Sequence, residues 1–309
     1  MALLRPREAT QAQPRRSAAP VLGHGPRNRR EQAARASPAA RPHTRDARHT
    51  GPAQSQPWPG SRAGARAKIA ALFDIHGNLP ALEAVVAEAR AARVDALVLG
   101  GDVALGPLPS ETLQYLLGLD LPLHCVRGNC DRGMLESLQG EIRDRMPAAA
   151  RECLRWAANR LSAEMLDWMR SWPLTAQLGD VLFCHATPRD DNEIFVASTP
   201  EAAVAPSFAG CPACTVVCGH THMQFDRQVV GIRVWNAGSV GMPFGAPGAD
   251  WLLVGDRIEF RHTAYDLEAA ARLVRNTQYP AAQQFAEQDI LQPRNAAEME
   301  HAFLEIGLR

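Results

Sequence analysis

No uninterrupted apolar run in the 309 residues approaches the roughly 18 that a membrane-spanning helix requires, so such a helix is excluded and a soluble chain without a membrane partner is expected. The first 66 residues lack lysine and nearly lack acids: 13 arginines stand against Glu8, Glu31 and Asp46. That segment carries a net charge of about +10 and leaves about −10 for residues 67–309, so the formal zero of the whole chain averages two unlike parts. Large apolar residues in the segment are almost limited to Leu3, Leu4, Val21, Leu22 and Trp58. They cannot bury enough surface to offset the entropy of ordering, and a disordered Arg/Ala/Pro-rich tail is expected over 1–66. The tail also lacks the apolar stretch of about 7–15 residues of a secretory signal, and Arg15-Arg16 and Arg29-Arg30 lack the one a twin-arginine signal needs. A cytoplasmic location is expected, with weak nucleic-acid binding through the basic tail as its only nucleic-acid contact.

The seven cysteines are odd in number and irregular in spacing, which argues against a disulfide scaffold and for reduced thiols. Cys211-Pro-Ala-Cys214, with Cys218 after it, has no matching second pair. It reads as incidental or buried thiols rather than a zinc site.

From Ile69 onward, short apolar runs alternate with longer amphipathic ones, the rhythm of an α/β architecture. Ile69–Phe73, Ala96–Leu99 and Leu123–Val126 read as buried strands, each ending in a polar tip followed by a helix. Residues 148–171 read as helical, with Trp156, Leu161, Met165, Trp168 and Met169 as a core-facing stripe. After Trp172-Pro173 the period shortens to two. Leu174–Gln177, Val181–Cys184, Thr215–Cys218, Gln224–Val230, Ile232–Trp235, Trp251–Val254 and Ile258–Arg261 are expected to form a second, largely antiparallel sheet. A domain over 67–265 is expected to carry the chemistry, and helices over 266–309 to pack on it or extend from it.

Five strand tips carry metal-ligand residue types: Asp74 with His76, Asp102, Asn129, His185, and His220 with His222. In an open α/β sheet the loops at the carboxyl ends of the strands converge on one crevice, so these residues can meet. Imidazoles, carboxylates and one amide carbonyl suit Mn²⁺, Fe²⁺ or Zn²⁺ better than Ca²⁺. Seven ligands exceed the needs of one ion, and two ions sharing a carboxylate are the economical arrangement.

Asp74-x-His76-Gly-Asn, Gly101-Asp102, Gly128-Asn129-x-Asp131, the isolated His185 and Gly219-His220-Thr-His222 resemble, in order and spacing, the calcineurin-like metallophosphoesterase superfamily. Asn236-Ala-Gly-Ser-Val-Gly241 is similar to its YfcE-like small phosphoesterase branch. The resemblance implies a four-layer α-β-β-α sandwich of two mixed β-sheets flanked by helices. It also implies that Asp74, His76 and His222 hold one ion, Asn129, His185 and His220 a second, and Asp102 bridges them. Mn²⁺ is the foremost candidate, with Fe²⁺, Zn²⁺ or Ni²⁺ as alternatives. The implied activity is hydrolysis of a phosphoric mono- or diester by in-line attack of a metal-bridging hydroxide, on a small phosphoester or nucleotide, with phosphodiesters and nucleotides favoured. A Ser/Thr protein phosphatase and a metal-stabilised interaction scaffold are the rival readings; oligomeric state is left open.

One departure stands out. The family pattern has His after Gly-Asn, where this chain has Cys130. The family's His contacts phosphate and protonates the leaving oxygen, and a thiol is a poor substitute, so good leaving groups should suffer least. Asp131 is read as a helix cap or a partner of Arg132 rather than an orienter of an imidazole. Arg127 and Arg132 are candidate phosphate cations by position, and Asn236 and Ser239 read as parts of a glycine-rich turn.

Overall fold

The computed structural model describes residues 67–141 and 146–308; the expected tail lies outside them. β1 (Ile69–Leu72), β2 (Ala96–Leu99) and β3 (Leu123–Cys125) run parallel. They are linked by α1 (Leu79–Ala91) and α2 (Pro109–Leu117) and followed by α3 (Asn129–Leu138), α4 (Ala148–Ala158) and α5 (Ala163–Arg170). β4 (Thr175–Leu178), β5 (Val181–Cys184), the short α6 (Glu201–Val204), β6 (Thr215–Cys218), β7 (Gln224–Val229) and β8 (Ile232–Ala237) come next. β9 (Ala249–Val254) and β10 (Ile258–Thr263) precede α7 (Leu267–Arg275), α8 (Ala282–Phe285), a π-helical turn over Ala286–Leu291, and α9 (Ala296–Ile306).

Two five-stranded mixed sheets result, in the orders β10-β9-β1-β2-β3 and β4-β5-β6-β8-β7. The expectation of one antiparallel sheet after residue 174 is corrected in two respects. β9 and β10 cross back to the first sheet, where β9 pairs antiparallel with β1. The second sheet has a parallel core, β5-β6-β8, with antiparallel strands only at its edges. A period of two identifies a strand but not its neighbour. The single helix expected over 148–171 is two, because Ser162 caps α5 by accepting the Met165 N–H at 3.2 Å.

Strand alternation builds the layers. Ala70, Leu72, Leu97 and Leu99 face α1, α2, α4 and α5, whereas Ile69, Ala71, Phe73, Ala96 and Val98 meet Phe183, Val217 and Leu252 between the sheets. The outer face of the second sheet is covered more thinly, Val216, Cys218 and Val234 packing against Phe195, Val204 and Phe208. The C-terminal elements gather Ala270, Val274, Phe285, Ala286 and Ile290 around Met242. Among the described residues no helix is long and apolar enough to cross a membrane.

Candidate metal centre

Every ligand-type tip sits at the carboxyl end of a parallel strand: Asp74 and His76 after β1, Asp102 after β2, Asn129 after β3, His185 after β5, and His220 and His222 after β6. Asp74, His76, Asp102, His220 and His222 all hold positive φ angles between 49° and 69°. They are five of the seven non-glycine residues with φ above zero among the described residues, so left-handed backbone is concentrated in these tips. Packing permits this at only a few points. A side chain on Gly128 would collide with the backbone and carboxylate of Asp102, which explains a glycine directly before Asn129.

The structure brings all seven sequence-derived residues together. Asp74 Oδ1 lies 3.2 Å from His222 Nε2, 3.7 Å from His76 Nε2 and 3.9 Å from His185 Nε2. Asp102 presents Oδ2 to His76 Nε2 at 3.8 Å and Oδ1 to His185 Nε2 at 3.5 Å, so its two oxygens address different halves of the cluster. Asn129 Oδ1 is 3.1 Å from His185 Nε2, and the His185 and His220 rings lie 5.0 Å apart. His76, His185 and His222 each turn Nδ1 to a backbone carbonyl, of Leu105, Gly100 and Met242. Nδ1 therefore carries the proton, and the Nε2 lone pairs face the cluster, as ligating histidines require.

The electrostatics fit a cation site. Burial penalises the Asp74 and Asp102 carboxylates, yet the surrounding imidazoles hold both below the usual carboxylate range. Burial would lower His76 and His185, but Asp74 and Asp102 raise them. Burial and the neighbouring His185 push His220 down to about 3, leaving a neutral imidazole. Asp74 Oδ1 and His220 Nε2 are buried with no hydrogen-bond partner among the described residues. Orphaned acceptors inside a ring of imidazoles and carboxylates fit divalent cations.

Residues beyond the ligands hold these tips in place. Asp131 caps α3 by accepting the Gly128 N–H at 3.0 Å, and reaches the Asp102 and Val103 N–H groups at 2.7 and 3.0 Å. Burial and the Asp102 charge push its carboxyl up to about 7. It does not pair with Arg132. That guanidinium is instead forked onto Asp191, at 2.8 and 2.9 Å, and bonded to Glu136, so of the two candidate phosphate cations Arg132 is the more fully engaged by carboxylates. Arg127 makes only a 3.3 Å contact with Asp191 and keeps a third of its side chain exposed. Cys130 donates its N–H to Asp102 Oδ1 at 2.8 Å; burial and Asp102 push its thiol well up.

Several functional residues escaped the sequence reading. Asn236 donates to Gly219 O and Thr221 Oγ1, and Ser239 donates to Asp74 O at 2.8 Å, so the glycine-rich turn buttresses two ligand loops. Asn78 ties α1 to Gly241 O at 3.0 Å, and Asp191 accepts both arms of the Arg132 guanidinium. Their polar types inside apolar surroundings were the available signal. All seven cysteines are free, and no ligand-competent group among the described residues includes Cys211 or Cys214.

Comparison with known proteins gives a consistent result. The family model of the calcineurin-like phosphoesterase superfamily domain matches residues 68–255. An uncharacterized protein of Methanocaldococcus jannaschii is 26% identical over 236 residues, covering 68% of this chain and 93% of its own. A metallophosphoesterase crystal structure from Sphaerobacter thermophilus superposes with a TM-score of 0.57 at 26% identity, covering 71% of this chain and 98% of that one. A symmetrical bis(5′-nucleosyl)-tetraphosphatase of Photobacterium profundum is 35% identical over 105 residues, 33% of this chain and 37% of that enzyme. The matched span begins just before β1, ends just after β9 and encloses every ligand tip, and the chain belongs to the calcineurin-like phosphoesterase superfamily.

Proposed function

We propose that the chain is a hydrolase of phosphoric esters that works with two divalent ions and favours phosphodiester or nucleotide-type substrates. Asp74, His76 and His222 would hold one ion, Asn129, His185 and His220 the other, and Asp102 both. The observation that carries the reading is Asp102, whose two carboxylate oxygens face His76 and His185 separately while Asp74 Oδ1 stands unpaired between them. Bound there, the ions supply Lewis acidity that makes water a nucleophile near neutral pH and neutralises the phosphoryl oxygens.

The protein's own groups do the rest. The three Nδ1–carbonyl bonds hold the imidazoles in one tautomer. Asp131 fixes the backbone from which the Asp102 carboxylate projects. Arg127, the less committed of the two arginines beside Asp191, is the candidate to bind a phosphate oxygen. No imidazole stands at position 130 to protonate a leaving oxygen, and losing a general acid costs about 10²–10⁴ in rate. Aryl oxides and polyphosphates depart without that help, whereas alkoxides such as those of phosphoserine do not. The partial similarity to a bis(5′-nucleosyl)-tetraphosphatase favours the same substrate class.

The test is to strip the protein of metal, restore Mn²⁺ or Zn²⁺, and assay an aryl phosphate, an aryl phosphodiester and a dinucleoside tetraphosphate at neutral pH. Metal-dependent turnover that disappears in Asp102→Ala supports the reading; metal-loaded protein inert toward all three contradicts it.

A further inference from the structure

Among the described residues, His222 is the one candidate ligand whose imidazole lies face to face with a phenyl ring: Phe244 stands against it with 5.3 Å between centroids and 24° between planes. That separation is within the range of an offset aromatic stack. The Met242 carbonyl accepts the His222 Nδ1–H at 2.8 Å and fixes the tautomer, but one hydrogen bond at one ring atom does not fix the plane of the ring. The Phe244 face does. Phe244 is joined to the same loop by its backbone, its N–H donating to the His222 carbonyl at 3.2 Å, which leaves the ring itself to be placed by packing. The ring of Phe303 lies 6.2 Å from that of Phe244.

Phe303 belongs to α9, beyond the family-matched span that ends at residue 255. α9 has no fully buried residue, although Met299, Phe303, Leu304 and Ile306 are apolar. It is pinned at a few points: Arg294 O, just before it, accepts the Gly245 N–H at 2.9 Å, and Glu300 accepts the Ser198 N–H and O–H at 3.2 and 2.6 Å. Gly245 directly follows Phe244. A helix that adds so little to the core is thus held where one of its rings backs the ring beside His222.

We propose that Phe303 is a positioning residue for His222, acting through Phe244, and that it sets the affinity of the ion held by Asp74, His76 and His222 while leaving the other ion alone. The inference rests on the dinuclear reading above. The Nε2 lone pair lies in the imidazole plane, so a ring that tilts aims it away from the ion, and the groups that orient a ligating histidine set metal affinity. His185 and His220 meet each other at 5.0 Å with 62° between planes and have no phenyl stack, so the second ion does not depend on Phe303.

Calorimetric titration of the metal-free full chain with Zn²⁺ reads the two sites separately. Wild type should take up two ions. Phe303→Ala should weaken one of them about 10–100-fold, the loss typical when the support of a ligating imidazole is removed, and leave the other at its wild-type affinity. Phe303→Tyr, which keeps the ring, should restore the weakened site. In His222→Ala, adding Phe303→Ala should change nothing further, because both act on one interaction. If Phe303→Ala does not fold, Phe303→Leu keeps the apolar bulk without the ring face and should show the same selective loss. Unchanged affinities, an equal fall at both sites, or a loss that persists in His222→Ala overturns the role of Phe303 and leaves the dinuclear centre standing. A wild type that binds fewer than two ions overturns both.

Discussion

Asp131 holds Asp102 by its backbone: the Asp131 carboxylate accepts the Asp102 N–H at 2.7 Å and, through its other oxygen, the N–H of Val103 at 3.0 Å. The side chain of Asp102 is thereby free to face the cluster, with its φ of 53° in the left-handed region that aspartate enters more readily than most residues other than glycine. Asp131→Asn replaces one acceptor by a donor among three converging N–H groups. The expected cost is about 1–3 kcal/mol of stability, read by denaturant unfolding, with metal affinity falling about 10–100-fold.

Gly128→Ala should leave the fold intact but displace the Asp102 carboxylate, because the added methyl meets that carboxylate and the Asp102 backbone. A misplacement of this size costs about 10²-fold in turnover. Steady-state rates beside an unchanged far-ultraviolet spectrum check it.

Metal addition should stabilise the native state only, by about 2.7 kcal/mol at a free concentration a hundred times the dissociation constant. Asp102→Ala removes the residue shared by both halves of the cluster, so the metal-induced rise in melting temperature should nearly vanish. Calorimetry with and without Mn²⁺ or Zn²⁺ measures this.

The strand tips were legible because each joins two signals that survive in sequence: an apolar run ending abruptly, and a ligand-type residue just past it, as at Leu72-Phe73-Asp74 and Cys184-His185. The partner of each strand was not. Trp251–Val254 is a continuous apolar run that does not say which sheet it joins, and only the three-dimensional packing sends Leu252 between the sheets beside Ala71. The support of the site was equally hidden. Arg132 looked available beside Asn129, but Asp191, 59 residues on, captures it. Ser239 looked like a turn residue until its hydroxyl met the Asp74 carbonyl, 165 residues away. Long-range hydrogen bonds leave no periodicity to read.

Asp191 yields a prediction in pH. Burial would raise its carboxyl, but the Arg132 fork and Arg127 outweigh it and hold it below its ordinary value. A carboxyl lowered by folding adds stability that is complete above the unfolded pKa of about 3.9 and is lost as pH falls through the folded value. Asp191→Asn should therefore cost about 1–3 kcal/mol at neutral pH and flatten the acid limb of the stability curve. Unfolding measured from neutral pH down to about 3 tests the slope.

Crystals soaked in Mn²⁺ or Zn²⁺, with diffraction collected at the metal's absorption edge, test the dinuclear centre most directly. The account predicts two anomalous peaks about 3.5–4 Å apart, with the Asp102 carboxylate between them, Asp74, His76 and His222 around one, and Asn129, His185 and His220 around the other. A single peak, or peaks away from Asp102, would contradict it.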